Sequence, residues 1–329
     1  MKLKHKYAIG CIIQWYEVEI YENYIQSVIN SLNDIENKEN VIVDLCFYLS
    51  QNLEQIDLDK MKMTKIIKRF KDTEKKLLDN DIECVVNYYN EDGIYTIANY
   101  RRDFNEKYCD IVDILMWGET DSLISKQNFE VLDLLHINNI NQYIYKYLAF
   151  FGGCKMWDDS WKPIEHTDFT DKPFIENDNE NWWSLRYIMS IDEMNKINEK
   201  VDELDVRTVN PYKFNGCGLV ISSDVIKSGV NIPKSMMLVH EDTAFQNSLI
   251  KMFGGSIPQF IFKNILLVHN RKHPKKRMYV MGEDEKEINP GLKRQSNNWY
   301  KKVWKLDHHN ANSMFHQAKV YNWKDVFDE

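Results

Sequence analysis

Apolar and polar residues fall into a repeating pattern over the first third of the chain. Tyr7 to Ile13 is a short apolar run with β-branched residues and predicts a buried strand. Behind it, Ile25, Val28, Ile29 and Leu32 recur at helical spacing. Val41 to Leu49 predicts a second strand, ending at Ser50-Gln51-Asn52. Met63, Ile66, Ile67, Phe70 and Leu77 then mark an amphipathic helix that stops near Asn80. Ile82 to Tyr89 predicts a third strand, Tyr95 to Tyr108 a helix and Ile111 to Trp117 a fourth strand. Repeated strand–helix alternation implies a parallel sheet covered by helices on both faces. In such a sheet ligands sit beyond the carboxyl ends of the strands, so the residues just after each strand are the ones to inspect.

The middle of the chain changes character. Trp157 to Asp205 holds 14 acidic and 5 basic residues, with Trp157, Trp161, Trp182 and Trp183 set among Pro, Asn and Asp. This stretch predicts long loops, with a helix near Ile191–Val201. Gly216 to Ser222 predicts a strand, Thr243 to Phe253 a helix and Ile257 to His269 another strand. From Lys263 to Lys305 the sign reverses, with 12 basic against 4 acidic residues.

Composition narrows the class. The 329 residues are 43% hydrophobic and 13% aromatic, which excludes a disordered or collagen-like chain and leaves ample material for a core. No apolar run approaches the roughly 20 residues that span a bilayer. The apolar run Tyr7–Trp15 is followed by Glu17 and Glu19, unlike a signal peptide. The six cysteines lie far apart without a C-x-x-C, which points to reduced thiols in a cytoplasmic protein rather than zinc or redox motifs. The net charge of −8 argues against a generally basic nucleic-acid binder, but it averages an acidic middle with a basic region.

Three short features can carry chemistry. The fourth strand runs into Trp117-Gly118-Glu119-Thr120-Asp121, and carboxylates one residue apart on a tight turn suit a hard cation such as Mg²⁺ or Mn²⁺. A solvated acidic turn would have the same spelling. His240-Glu241-Asp242 precedes a helix, where a carboxylate can act as a general base or simply cap the helix. His269, in Val268-His269-Asn270-Arg271-Lys272-His273-Pro274, can complete a metal site as a neutral imidazole or lie on a basic surface loop. Arg101, Arg102 and Asp103 can reach a phosphate, fix the Glu119–Asp121 turn, or form ordinary helix-surface ion pairs.

The order and placement of these motifs resemble the GT-A glycosyltransferases, most nearly the family 2-type enzymes that use nucleotide sugars. The opening Tyr7 to Glu17 with Tyr24-Ile25-Gln26-Ser27-Val28 is similar to that family's first strand, nucleotide loop and following helix. Glu119-Thr120-Asp121 stands in the place of its D-x-D, and Asn215 to Ser222 looks like the strand beside donor and acceptor. Glu241-Asp242 matches its E-D pair, and His269 falls where many members have a metal-ligating histidine. Two departures stand out. Ser50-Gln51-Asn52 replaces an Asp-rich loop of many relatives, and Glu119 replaces the first Asp of the metal pair.

The resemblance implies an α/β fold of GT-A type: a Rossmann-like, mostly parallel sheet flanked by helices, with a C-terminal extension. It implies a nucleotide-sugar-binding half over 1–139, an acceptor-binding and catalytic half over 140–275, and a basic, aromatic extension over 276–329. The donor, a UDP-sugar, would meet Gln14, Trp15, Tyr16, Arg101, Arg102, Glu119, Thr120 and Asp121. Mn²⁺ or Mg²⁺ would be held by Asp121, His269 and Glu119. Asp242 would be the base of an inverting transfer, assisted by Glu241, with Trp157, Trp161, Trp182, Trp183, Asn215 and Gly216 on the acceptor side. The acceptor would be a glycan or a modified DNA base reached through the Lys263–Lys305 region; that region also suits an anionic glycan, a lipid head group or the acidic middle of the chain itself. A non-catalytic nucleotide- or sugar-binding module on the same fold is the rival reading. A metal-dependent phosphotransferase is a third, without a G-x-x-x-x-G-K-[ST] loop to support it.

Overall fold

A computed structural model describes residues 1–14, 17, 20–48, 60–89, 95–156, 184–185, 190–208, 216–238, 240–270 and 298–317. The chain begins with β1 (Tyr7–Gln14), α1 (Tyr21–Leu32), β2 (Val41–Tyr48), α2 (Lys60–Leu78), β3 (Cys84–Tyr89), α3 (Ile97–Tyr108) and β4 (Ile114–Trp117). It continues through β5 (Ser122–Leu123), α4 (Asn128–Asn141), β6 (Leu148–Met156), β7 (Ser184–Leu185), α5 (Ile191–Asn198) and β8 (Val206–Thr208). Last come β9 (Val220–Ser222), α6 (Ser223–Lys227), α7 (Glu241–Phe253), β10 (Gln259–Asn270) and α8 (Asn298–Gln317).

These strands form one ten-stranded sheet in the order β3-β2-β1-β4-β9-β6-β10-β5, with β7 on β6 and β8 on β10. The four strands β3, β2, β1 and β4 are all parallel, as the strand–helix alternation requires. The direction reverses at β9, which pairs antiparallel with both β4 and β6, and β6 then runs parallel to β10. The α/β architecture expected from the sequence, a mostly parallel sheet flanked by helices with a C-terminal extension, is the one the chain adopts. Among the described residues no helix is long and apolar enough to cross a membrane.

The period-2 alternation of β1 explains the layering. Tyr7, Ile9, Cys11 and Ile13 belong to the core shared with α1, α2 and α4, whereas Ala8 and Ile12 belong to the core shared with α3, α6, α7 and α8. Gly10 lies on the second side, where a Cβ would come within 2.5 Å of the Phe104 ring, so glycine allows α3 to rest directly on the central strand. β3 is the sheet edge and its strand is half-exposed, which fits its mixed sequence Cys84-Val85-Val86-Asn87-Tyr88-Tyr89.

Boundaries depart from the sequence reading in two places. The strand expected over Gly216–Ser222 is confined to Val220–Ser222. The helix expected from Thr243 begins at Glu241, so Glu241 and Asp242 lie in its first turn, where the helix N-terminus favours acids. Within the C-terminal extension, α8 packs along α7 with Val303, Asp307, Asn310 and Ala311 buried.

Candidate active site

The centre of the site is one arginine. α3 starts at Thr96, whose side chain and that of Asn99 form a reciprocal capping box, and one turn later the helix delivers Arg101 into the protein. Arg101 is 2% exposed and lies over the Trp117 indole, 4.8 Å from the ring centre. Its Nη1 donates to Glu241 Oε1 at 2.5 Å, and its Nη2 donates to Glu119 Oε1 at 2.6 Å and to the Gly216 carbonyl at 2.9 Å. Arg101 Nε is buried and has no hydrogen-bond partner among the described residues. A Cβ at Gly216 would collide with Nη1, so only glycine lets that backbone approach the guanidinium.

Three chain segments far apart in sequence therefore converge. Glu119 follows β4 at the carboxyl end of the parallel strands, and Gly118 N–H donates to the Gly10 carbonyl at 2.7 Å to close the turn against β1. Glu241 and Asp242 come from the first turn of α7. Asp242 Oδ2 accepts from the Gly216 N–H at 3.0 Å and Oδ1 from the Thr243 N–H at 2.7 Å. Glu241 is thus tied to the arginine that holds Glu119, and Asp242 to the glycine whose carbonyl that arginine engages.

Electrostatics follow from burial. Removal from water works against the Arg101 charge, but Glu119 and Glu241 more than offset it and its pKa is raised. Burial pushes the Glu241 carboxyl up to about 7, with Arg101 pulling down and Asp242 pushing further up. The His240 imidazole, ahead of the pair, is lowered chiefly by burial.

The E-x-D turn has the features of a site that holds something. Asp121 is buried, and the Thr120 hydroxyl beside it is buried with no partner among the described residues. The Tyr24 hydroxyl, packed where a Gly118 Cβ would fall, is likewise buried and unpartnered among the described residues. Orphaned hydroxyls are rare in protein interiors, and oxygen-rich turns suit a hard cation or a phosphate. His269 pairs with Ser122 in antiparallel register, so the backbone of β10 runs beside the residue after Asp121. No group of three or more His, Cys, Asp or Glu able to hold a metal occurs among the described residues, and the His269 side chain is outside them.

Not every expected residue joins the cluster. Arg102 points elsewhere, its Nη1 3.5 Å from the Pro233 carbonyl. Gln14 is described only as backbone at the end of β1, while Trp15, Tyr16, Trp157, Trp161, Trp182, Trp183 and Asn215 lie outside the described residues. A cavity of about 220 Å³ between β2, β3 and α3, lined by Asp44, Tyr89, Tyr95 and Lys107 among others, includes none of the cluster residues. Of the lining residues, Asp44 accepts from Tyr100, Tyr108 and Lys107. The signal for that network was visible as a lone acid inside the apolar run of β2.

No protein-family model matches the chain, and no curated protein matches it. Among solved structures, it is similar to a UDP-glucose pyrophosphorylase complexed with UDP-glucose, at 9% identity over 78% of this chain and 89% of that one, TM-score 0.34. It is also similar to a 4-diphosphocytidyl-2C-methyl-D-erythritol synthase from Anaerococcus prevotii, at 11% identity over 82% and 94%, TM-score 0.35. A third is HddC from Yersinia pseudotuberculosis, at 10% identity over 82% and 96%, TM-score 0.35. Likenesses of this size assign neither activity nor substrate, and the functional reading rests on the residues themselves.

Proposed function

We propose that the protein is a metal-dependent glycosyltransferase of GT-A type that moves a sugar from a nucleotide-sugar donor, a UDP-sugar, to an acceptor hydroxyl. The observation that supports this reading is the Arg101 cluster. One buried cation gathers an E-x-D turn at the carboxyl ends of parallel strands and an E-D pair on the first turn of a helix. A transferase of this kind would need such a juxtaposition, because it must bring diphosphate-binding and proton-accepting groups close together.

In this reading residues 1–139 hold the donor and 140–275 the acceptor. Asp121, with His269 and Glu119, would hold Mn²⁺ or Mg²⁺, and the buried Thr120 and Tyr24 hydroxyls fit an oxygen-rich group there. When bound, the cation supplies neutralisation of charge growing on the leaving diphosphate. Asp242 accepts the proton of the acceptor hydroxyl, and its two backbone N–H bonds fix the carboxylate for that task. Glu241 and Glu119 are engaged by Arg101, so they orient the two halves of the site rather than react. Attack from the face opposite the leaving group inverts the sugar.

The engagement of Glu119 by Arg101 also favours a second reading, a non-catalytic nucleotide- or sugar-binding module that keeps the fold without turnover. A thermal-shift screen of nucleotide sugars with Mn²⁺, followed by assay of donor hydrolysis, separates the two. The transferase gains stability from a nucleotide sugar and slowly hydrolyses it. A binder shows only the shift. A shift with nucleoside triphosphate and sugar phosphate, with release of pyrophosphate, overturns both in favour of nucleotidyl transfer.

A further inference from the structure

The E-D turn is held from behind as well as from the front. Asp307, in the middle of α8, is fully buried, and both of its carboxylate oxygens are used on the loop before α7. Oδ1 accepts from the Met237 N–H at 3.0 Å and Oδ2 from the Leu238 N–H at 2.9 Å. The carbonyl of the same Met237 accepts from the Thr96 hydroxyl, at the start of the helix that carries Arg101. Asn310 Nδ2 donates to the Ser235 carbonyl at 3.0 Å, and Asn247 Nδ2, on α7, donates to the Ala311 carbonyl at 2.8 Å. The rings of His240 and His308 meet edge-on at 5.3 Å.

Between this anchor and the E-D pair stands a residue in an unfavourable conformation. His240 has φ 60°, left-handed for a non-glycine residue. Such a conformation persists only where the flanking structure determines it. Glu241 is fixed on one side by Arg101, and Met237 and Leu238 on the other by Asp307. Two N–H groups on one buried carboxylate make charge-assisted bonds, stronger than neutral ones.

We propose that Asp307 is a positioning residue: from the C-terminal helix it fixes the loop that sets the Asp242 carboxylate against Gly216. The proposal rests on Asp242 being the base of the transfer reaction. It gives the C-terminal extension, which no motif matched, a part in the active site.

The test is ¹⁵N NMR on the full chain, comparing the wild type with Asp307→Asn and with Asn310→Ala, which removes a different bond of the same helix. In the wild type the Met237 and Leu238 amide protons are expected downfield and as protected from exchange as those of α7. Asp307→Asn moves both upfield and also moves the Gly216 and Thr243 amides, whose acceptor is Asp242. Asn310→Ala lowers the melting temperature without moving Gly216 or Thr243. Unprotected Met237 and Leu238 amides in the wild type overturn the proposal, even if Asp307→Asn fails to fold. Unmoved Gly216 and Thr243 amides in a folded Asp307→Asn overturn it as well.

Hydrolysis of UDP-glucose with Mn²⁺ supplies a second readout: Asp307→Asn lowers kcat about tenfold with KM within about twofold, since small displacements of a reacting group are costly. An unchanged kcat overturns the positioning role. If Asp242→Asn turns over like the wild type, the reading of Asp242 as base fails, while the amide shifts still decide whether Asp307 holds it in place.

Discussion

Replacing Arg101 with methionine keeps most of the buried stem and removes the guanidinium. Three hydrogen bonds go with it, and two carboxylates and the Gly216 carbonyl are left facing one another. Removing one partner of a buried ion pair costs about 3–5 kcal/mol, because the remaining charge stays out of water. Glu119 retains some contact with solvent, its side chain 13% exposed, which places the expected loss near about 3 kcal/mol at neutral pH. The loss should depend on pH. Without Arg101 the Glu241 carboxyl loses the charge that pulls its pKa down and is raised further above its unfolded value, so the variant is least impaired when that group is protonated and loses stability as pH rises. Urea unfolding followed by circular dichroism, at about pH 5 and about pH 8, measures both quantities. Adding Glu241→Gln to Arg101→Met should recover about 1–2 kcal/mol at the higher pH by removing one uncompensated charge. A loss below about 1 kcal/mol, equal at the two pH values, would refute the description of Arg101 as a buried counter-charge.

Gly216→Ala should force Arg101 to move, weakening both ion pairs and impairing turnover; a crystal structure of the variant would show whether the guanidinium is displaced. Glu241 has its folded pKa raised to about 7, so its contribution to stability is present below its unfolded value and lost as pH rises through about 7. Glu241→Gln should flatten that fall, which a series of denaturation curves across the range will reveal. His136 behaves in the opposite sense. Burial lowers it to about 4, so stability present above its unfolded value near 6.5 is lost as pH falls, by about 3 kcal/mol in all. His136→Gln should remove this acid-side slope, at the cost of the bond to the Tyr147 hydroxyl. If the Lys263–Lys305 region takes a DNA acceptor, affinity for duplex DNA should fall steeply with salt; a flat dependence in a filter-binding assay removes that acceptor.

Much of this was legible in the sequence, for identifiable physical reasons. Strands β1, β2 and β4 are buried on both faces, so each appears as a largely apolar run bounded by polar residues, and the parallel order of β1 to β4 follows from the helices between them. The E-x-D turn and the E-D pair were visible because acids cluster where apolar runs end. Their meeting was not, since nothing in the spelling of Arg101 distinguishes a buried bridge from a helix-surface pair. Arg102 shows the difficulty: the adjacent arginine, equally plausible in sequence, turns toward Pro233. Strand β5 is two residues long and β9 three, too short for any periodicity to appear. Helix α8 was hidden by its neighbours. Its buried Val303 and Ala311 are spread among lysines, histidines and asparagines, and Asp307 has the same letter as an exposed acid.

The account stands most directly on turnover of a nucleotide sugar by three proteins, assayed with Mn²⁺ and with chelator. The wild type should hydrolyse or transfer the donor only with the cation. Asp121→Asn and Asp242→Asn should each reduce turnover at least about 100-fold while remaining folded, with chelator reproducing the first loss and donor binding surviving the second. Normal turnover by a folded Asp242→Asn protein, or full activity of the wild type in chelator, would show that the Arg101 cluster does not organise the chemistry proposed for it.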